Sequence, residues 1–238
     1  MWVKIPTGEV TLTHAGGYVF HPVQQKVEAF EIAKYPVTVA EFQAFIDASD
    51  GFADSQWWDY SDAARLWRLE NDQPLPLDFS EDDHPRTHIT WYEAVAYCQW
   101  MTHKTDELIR LPTEAEWQLA AQGQDGRVYP WGNEWSVDYC HNNLEQQSIG
   151  TKSVTAYEGK GNSPYGVVDM IGNVWEWCGT NWNSGKYDVV TDDVRVLRGG
   201  SWFDNVMNHF RVTFRSSWNP SIASDLRGFR VVRSGKLT

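Results

Sequence analysis

The chain has 238 residues, with 20 Lys and Arg against 32 Asp and Glu, a net charge of −12. That balance excludes general nucleic-acid binding, which rests on cations held at phosphates, and no run of apolar residues approaches the roughly 18 needed to span a membrane. Fourteen tryptophans, several times the usual share, point to irregular loops packed by indoles rather than to long amphipathic elements.

From Met1 to Tyr35 apolar and polar residues alternate, as in WVKIP and VEAFEIAKY, which predicts strands joined by a turn at Gly16-Gly17 and ended by Pro36. Three helix starts of one design follow. Thr38-x-x-Glu41, Thr90-x-x-Glu93 and Thr113-x-x-Glu116 each match a capping box, in which hydroxyl and carboxylate satisfy opposite orphan amides. The first helix shows Phe42, Phe45 and Ile46 on one face, the second Trp91, Val95, Cys98 and Met101. The third shows Trp117, Ala120 and Ala121 and stops at Gly123. With Glu116 spent on its box, Glu114 is left as a first-turn dipole partner.

Between the first two helices, Gly51 to Asp83 is acidic, aromatic and rich in turn formers, anchored by Trp57, Trp58 and Trp67. Either a packed loop or an insertion over a cleft would read this way. From Asp125 to Gly161 the chain is mostly loop, and Asn143 with Glu145 could cradle a cation or be solvated polarity.

The densest stretch is Tyr165 to Trp202. Gly172-Asn173 is a turn signal, and Trp175 and Trp177 alternate with Glu176, so both indoles share one face of an extended segment and the carboxylate takes the other. Gly199-Gly200 lets another backbone approach closely. Oxygens from Asn173 and Glu176, with carbonyls of Gly172 or Val174, could join the all-oxygen shell that a structural Ca²⁺ takes, the alternative being a turn closed by hydrogen bonds. Seven arginines and no lysine lie between Tyr187 and Gly235. Their forks are expected to pair with carboxylates and stack on indoles.

Several chemistries lack their residues. The three cysteines, Cys98, Cys140 and Cys178, have no CxxC spacing, which argues against a disulfide framework or zinc site and fits buried thiols in a reducing compartment. With no leader-like N-terminus, a cytoplasmic location is expected. His84 and His88 are separated by Pro85 and share no helical face, and HExxH, GxSxG and a phosphate-binding glycine loop are absent.

YGVVDMIGNVWEW, RVLRGGSW and GFRVV, with LPTEAEW and YPWGNEW upstream, resemble the formylglycine-generating enzyme (sulfatase-modifying factor) family. The match runs from WVKIP through KYPVT to Val232. It implies one α+β domain over 1–238 with a C-type-lectin-like fold, short helices around twisted antiparallel strands. Oxidase members carry a copper-binding cysteine pair after the GGS motif. Here the segment reads GGSWFDNVMNHFRVTFR, so the thiolates a Cu(I) site needs are missing. Related iron-dependent sulfoxide synthases add a histidine-bearing helical domain that is not found here. Neither copper nor iron is expected.

Within residues 203–226, Phe203, Asp204, Val206, His209, Phe214, Ser216, Ser217, Trp218, Ile222, Asp225 and Leu226 mix apolar, polar and aromatic without period, between residues that fit the family framework. A fixed scaffold carrying arbitrary side chains is what an antibody-like surface looks like. The pattern resembles the variable proteins of diversity-generating retroelements, whose variable region follows a template rich in Asn codons. Adenine mutagenesis of AAC yields most of these residues, though neither Trp218 nor Met207. The implied function is recognition of a protein ligand without catalysis, with Phe203, Phe214 and Trp218 as anchors. The alternatives are an oxidase-like or sulfoxide-synthase-like enzyme and a fixed-ligand sensor domain of a larger signalling protein.

Overall fold

The computed structural model describes residues 1–13, 22–144 and 149–236; the expected turn at Gly16-Gly17 and residue Glu145 lie outside them. In chain order the elements are β1 (Trp2–Ile5), β2 (Gly8–Leu12), β3 (Val23–Val27), β4 (Phe30–Ala33), α1 (Val39–Asp47), α2 (Asp62–Glu70), α3 (Trp91–Thr105), β5 (Glu107–Arg110), α4 (Glu114–Gln122), β6 (Trp175–Asn181), β7 (Arg195–Arg198), β8 (Arg215–Trp218), β9 (Arg227–Gly228) and β10 (Val232–Lys236).

The N-terminal strands form as their alternation predicts. They join β10 and β5 in a sheet ordered β1-β4-β10-β5, while β2 and β3 make a separate hairpin. A second four-stranded sheet is ordered β8-β7-β6-β9, antiparallel except for the parallel pair β6-β9.

All three capping boxes are present. Thr38, Thr90 and Thr113 each accept the backbone amide of Glu41, Glu93 or Glu116, and each glutamate reaches back to the threonine amide. Gly123 closes α4 at φ +70°. Helix α2 is an addition to the expected loop at 51–83. Ser61 caps it by accepting Ala64 N–H at 3.1 Å, but its third residue is Ala64, so no box marked it. The tryptophans of this segment do anchor it: Trp57 and Trp58 are buried, and Trp67 stacks on Trp58 with ring centroids 5.5 Å apart.

The indoles of Trp175 and Trp177 share a face, as the period of two requires, and pack with α3, Leu197 and Phe229. The opposite face of β6 is equally buried, with Cys178 and Val196 packed against α4 and the first sheet. A β-sheet covered on both sides must bury what its alternation puts outward, so Glu176 lies inside the protein.

Candidate ligand-binding face

Two buried carboxylates organise the second sheet. Glu176 accepts from Arg230 twice, Nε at 2.7 Å and Nη2 at 2.6 Å, and from the Trp117 indole at 2.7 Å. Glu114 accepts from Arg198 at 2.7 Å and from both Nε and Nη2 of Arg215, at 2.8 and 2.7 Å. In register, Glu176, Arg198 and Arg215 stand opposite one another on β6, β7 and β8, so one carboxylate and two guanidinium groups line one face of the sheet. Glu114 sits in the first turn of α4 as expected and is in addition an ion-pair centre, which its place there did not announce. The arginines also stack as anticipated: Arg198 on Trp117, Arg215 on Trp182 and Arg195 on Trp91, at 5.1, 4.1 and 4.1 Å from the ring centroids.

The Gly172-Asn173 turn forms with both residues at positive φ, 79° and 61°. A Cβ on Gly172 would meet the His141 carbonyl oxygen at 2.2 Å, and one on Gly199 would meet the Met170 oxygen at 2.8 Å. The Gly172 amide donates to the Gly199 carbonyl at 2.9 Å, so this close approach closes the knot. Asn173 Oδ1 accepts the Lys152 amide at 3.0 Å, and its Nδ2 donates to Lys152 O and to Asp169 Oδ2. The Gly172 carbonyl accepts the Val174 amide. With Glu176 paired to Arg230 and Trp117, the oxygens of Asn173, Glu176 and Gly172 all accept from protein donors, so a Ca²⁺ shell here would have to share or displace those bonds. Among the described residues no group of three or more His, Cys, Asp or Glu is disposed to hold a metal. His84 hydrogen-bonds Thr151, and His88 lies 3.5 Å from Asp78.

Segment 203–226 leaves the knot at Trp202 and returns through β8. All eleven positions singled out from the sequence keep some solvent exposure; of the residues between them Phe210, Val212, Arg215 and Pro220 are buried, as are the flanking Trp202 and Arg227, whereas the framework residues Arg211 and Asn219 are exposed. Ser216 and Trp218 share one face of β8, which Phe214 immediately precedes. Ser217 points with Arg215 to the other, so it does not join them.

The exposed positions differ in what holds them. Phe203 (59% exposed), Ile222 (47%) and Trp218 (44%) stand free of the core, with Trp218 lying over the Arg227 guanidinium at 4.3 Å. Phe214 and Leu226 pack against the core, and Phe214 has its ring centroid 4.7 Å from His209 and 6.1 Å from Trp175. Asp204 is tied inward. Its Oδ2 accepts Ser201 N–H at 2.9 Å, Ser201 Oγ at 2.6 Å and the Trp175 indole at 2.9 Å, while Oδ1 pairs with His209 Nδ1. This fixes the 201–209 turn; Ser201 and His209 are local partners, whereas the inward bond to Trp175 is one no local pattern announces, because it comes from β6.

One wall of the face has no counterpart among the sequence motifs. Phe79, from the acidic segment after α2, packs edge-on against Trp202 at 5.8 Å, and the Ser224 carbonyl accepts the His88 amide at 3.0 Å.

Comparison with known proteins fits this geometry. The family model described as sulfatase-modifying factor enzyme 1-like domain matches residues 1–235. A formylglycine-generating enzyme of Streptomyces coelicolor is 30% identical over 99% of this chain and 90% of its own length. An inactive C-alpha-formylglycine-generating enzyme 2 of Mus musculus is 32% identical over 87% of this chain and 76% of its own. The solved structure of Treponema denticola variable protein 1 superposes with a TM-score of 0.69 at 21% identity, covering 98% of this chain and 94% of that one. The chain thus belongs to the sulfatase-modifying factor enzyme 1-like domain family and has an α+β fold of the C-type-lectin-like kind.

Proposed function

We propose that the chain is a non-catalytic binding protein that displays residues 203–226 to a protein ligand, as a diversified surface of the retroelement variable-protein type. The observation that carries this reading is exposure: every position whose residue type looked arbitrary reaches solvent, while Val212, Arg215 and Pro220 between them are buried and hold the segment to the core. Side chains can then change without unfolding the scaffold, which is the physical requirement for a diversified face. The exposed aromatics supply large, stiff contact area at low entropic cost.

The similarity to a formylglycine-generating enzyme along nearly the whole chain favours one second reading, an oxidase. Against it, no cysteine follows Cys178, and Cys178 is itself buried on β6 with its thiol pushed well above its ordinary pKa by that burial.

Deep sequencing of many natural copies of the gene tests the proposal. Substitutions confined to 203–226, beside a near-copy differing mainly at adenines, are expected. Uniform variation without a near-copy would overturn diversification. Oxidation of a cysteine-containing sulfatase-type peptide with added copper, above the buffer blank, would restore the enzyme reading.

A further inference from the structure

We infer that the partner of the 203–226 face is a protein surface with an apolar patch ringed by lysine and arginine. This rests on the binding reading above. The centre of the face is the exposed Phe203, Trp218 and Ile222, and acidic segments flank it on two sides.

On one side runs the stretch from Glu70 to Asp83, which contains six carboxylates and neither lysine nor arginine. It is fixed against the face by Phe79 on Trp202 and by the contact of Asp78 with His88, whose amide holds the Ser224 carbonyl. On the other side lies Asp188 to Asp193, with three aspartates and no cation. Arg195, the cross-strand neighbour of Trp218, donates to the Asp188 and Thr191 carbonyls. Asp192 accepts from the Tyr92 hydroxyl, next to the Trp91 amide that holds the Pro220 carbonyl. Asp225 adds a further carboxylate on the face itself.

The arginines nearby balance only part of this charge: Arg195 faces Asp188 and Asp193, and Arg227 faces Asp225. Arg215 is taken up by Glu114, and Arg227 is buried beneath Trp218. Arg211 alone of the segment's arginines is exposed, following the short turn at Met207–Phe210. Field lines from the carboxylates spread over the apolar centre, so an approaching acidic surface is repelled and a basic one is steered in.

The test uses the whole chain, biotinylated, to select binders from a yeast-displayed library of random peptides. Lysine and arginine enriched at least about twofold over the input, beside an apolar anchor, are expected. That excess should disappear with D78N/E81Q/D192N/D225N and persist when the distant Glu9, Glu28, Asp47 and Asp125 are neutralised instead, with melting midpoints showing that both variants fold. Binders that need Phe203 and Trp218 but show no basic excess would overturn this inference and leave the binding face standing. A basic excess that survives rim neutralisation would overturn it in the same way. No enrichment over uncoated beads, or enrichment untouched by F203A/W218A, would instead overturn the binding reading itself, and this inference with it.

Discussion

Arg215 and Glu114 are 101 positions apart in the chain and meet as a two-pronged, buried ion pair. The contact joins the display strand β8 to the first turn of α4, and Arg198 completes it from β7. The face therefore stands on a charged footing inside the protein rather than on apolar packing alone.

Removing that footing should be costly. Glu114→Ala leaves two buried guanidinium groups without a counter-charge, for which about 3–5 kcal/mol of lost stability is expected. Glu116→Ala, which loses a capping contact and a mostly buried, two-pronged pair with Arg110, should cost less, about 1–3 kcal/mol, because the partly exposed Arg110 can still reach water. Thermal and urea unfolding of the two variants checks the ranking, and equal losses would contradict it.

The three aromatic anchors should separate into two kinds. Phe203→Ala and Trp218→Ala are expected to weaken selected binders at least about tenfold while shifting stability by less than about 0.5 kcal/mol, as for exposed positions. Phe214→Ala should also lower stability, by about 1–3 kcal/mol, because its ring packs on His209 and Trp175. Paired affinity and melting measurements decide between these outcomes.

Two buried acids should set a pH dependence. Burial pushes Asp169 up to about 8 and Glu93 up to about 7, whereas both titrate near 4 when unfolded. The folded protein then holds protons that the unfolded chain has released. Their contribution is present in full at acidic pH and is lost as pH rises from about 4 to about 8. Asp169→Asn should accordingly narrow the stability difference between pH 5 and pH 9 by an amount on the order of 1 kcal/mol or more. A difference unchanged in this variant would show that Asp169 ionises normally.

Calcium should leave the melting midpoint where it is. The oxygens of Asn173 and Glu176 already accept from the Lys152 amide, Arg230 and Trp117, so an ion would have to break those bonds before gaining its own shell. Melting with chelator and with millimolar Ca²⁺ is expected to give one midpoint. A rise with Ca²⁺ would contradict this and show that the folded state binds the ion, since a ligand of the folded state stabilises by mass action.

The sequence by itself determined what depends on neighbours along the chain. The capping boxes at Thr38, Thr90 and Thr113, the period of two through Trp175 and Trp177, the Gly172-Asn173 turn and the ordered motifs of the family all rest on spacings of a few residues, where local sterics and hydrogen bonds decide. It missed α2, whose Ser61 cap lacks the glutamate that completes a box. Only the tertiary structure decided the partners of the charged groups. Glu176 met Arg230 and Trp117, Glu114 met Arg198 and Arg215, and Asp204 turned inward to Trp175, across separations of 54, 59, 84, 101 and 29 residues. A buried carboxylate must find donors wherever the fold supplies them, because leaving it unpaired in a low-dielectric interior costs more than any local preference. Phe214 likewise differs from Phe203 and Trp218 only through the tertiary structure: all three are aromatic, and what lies behind each ring is set by the packing around it.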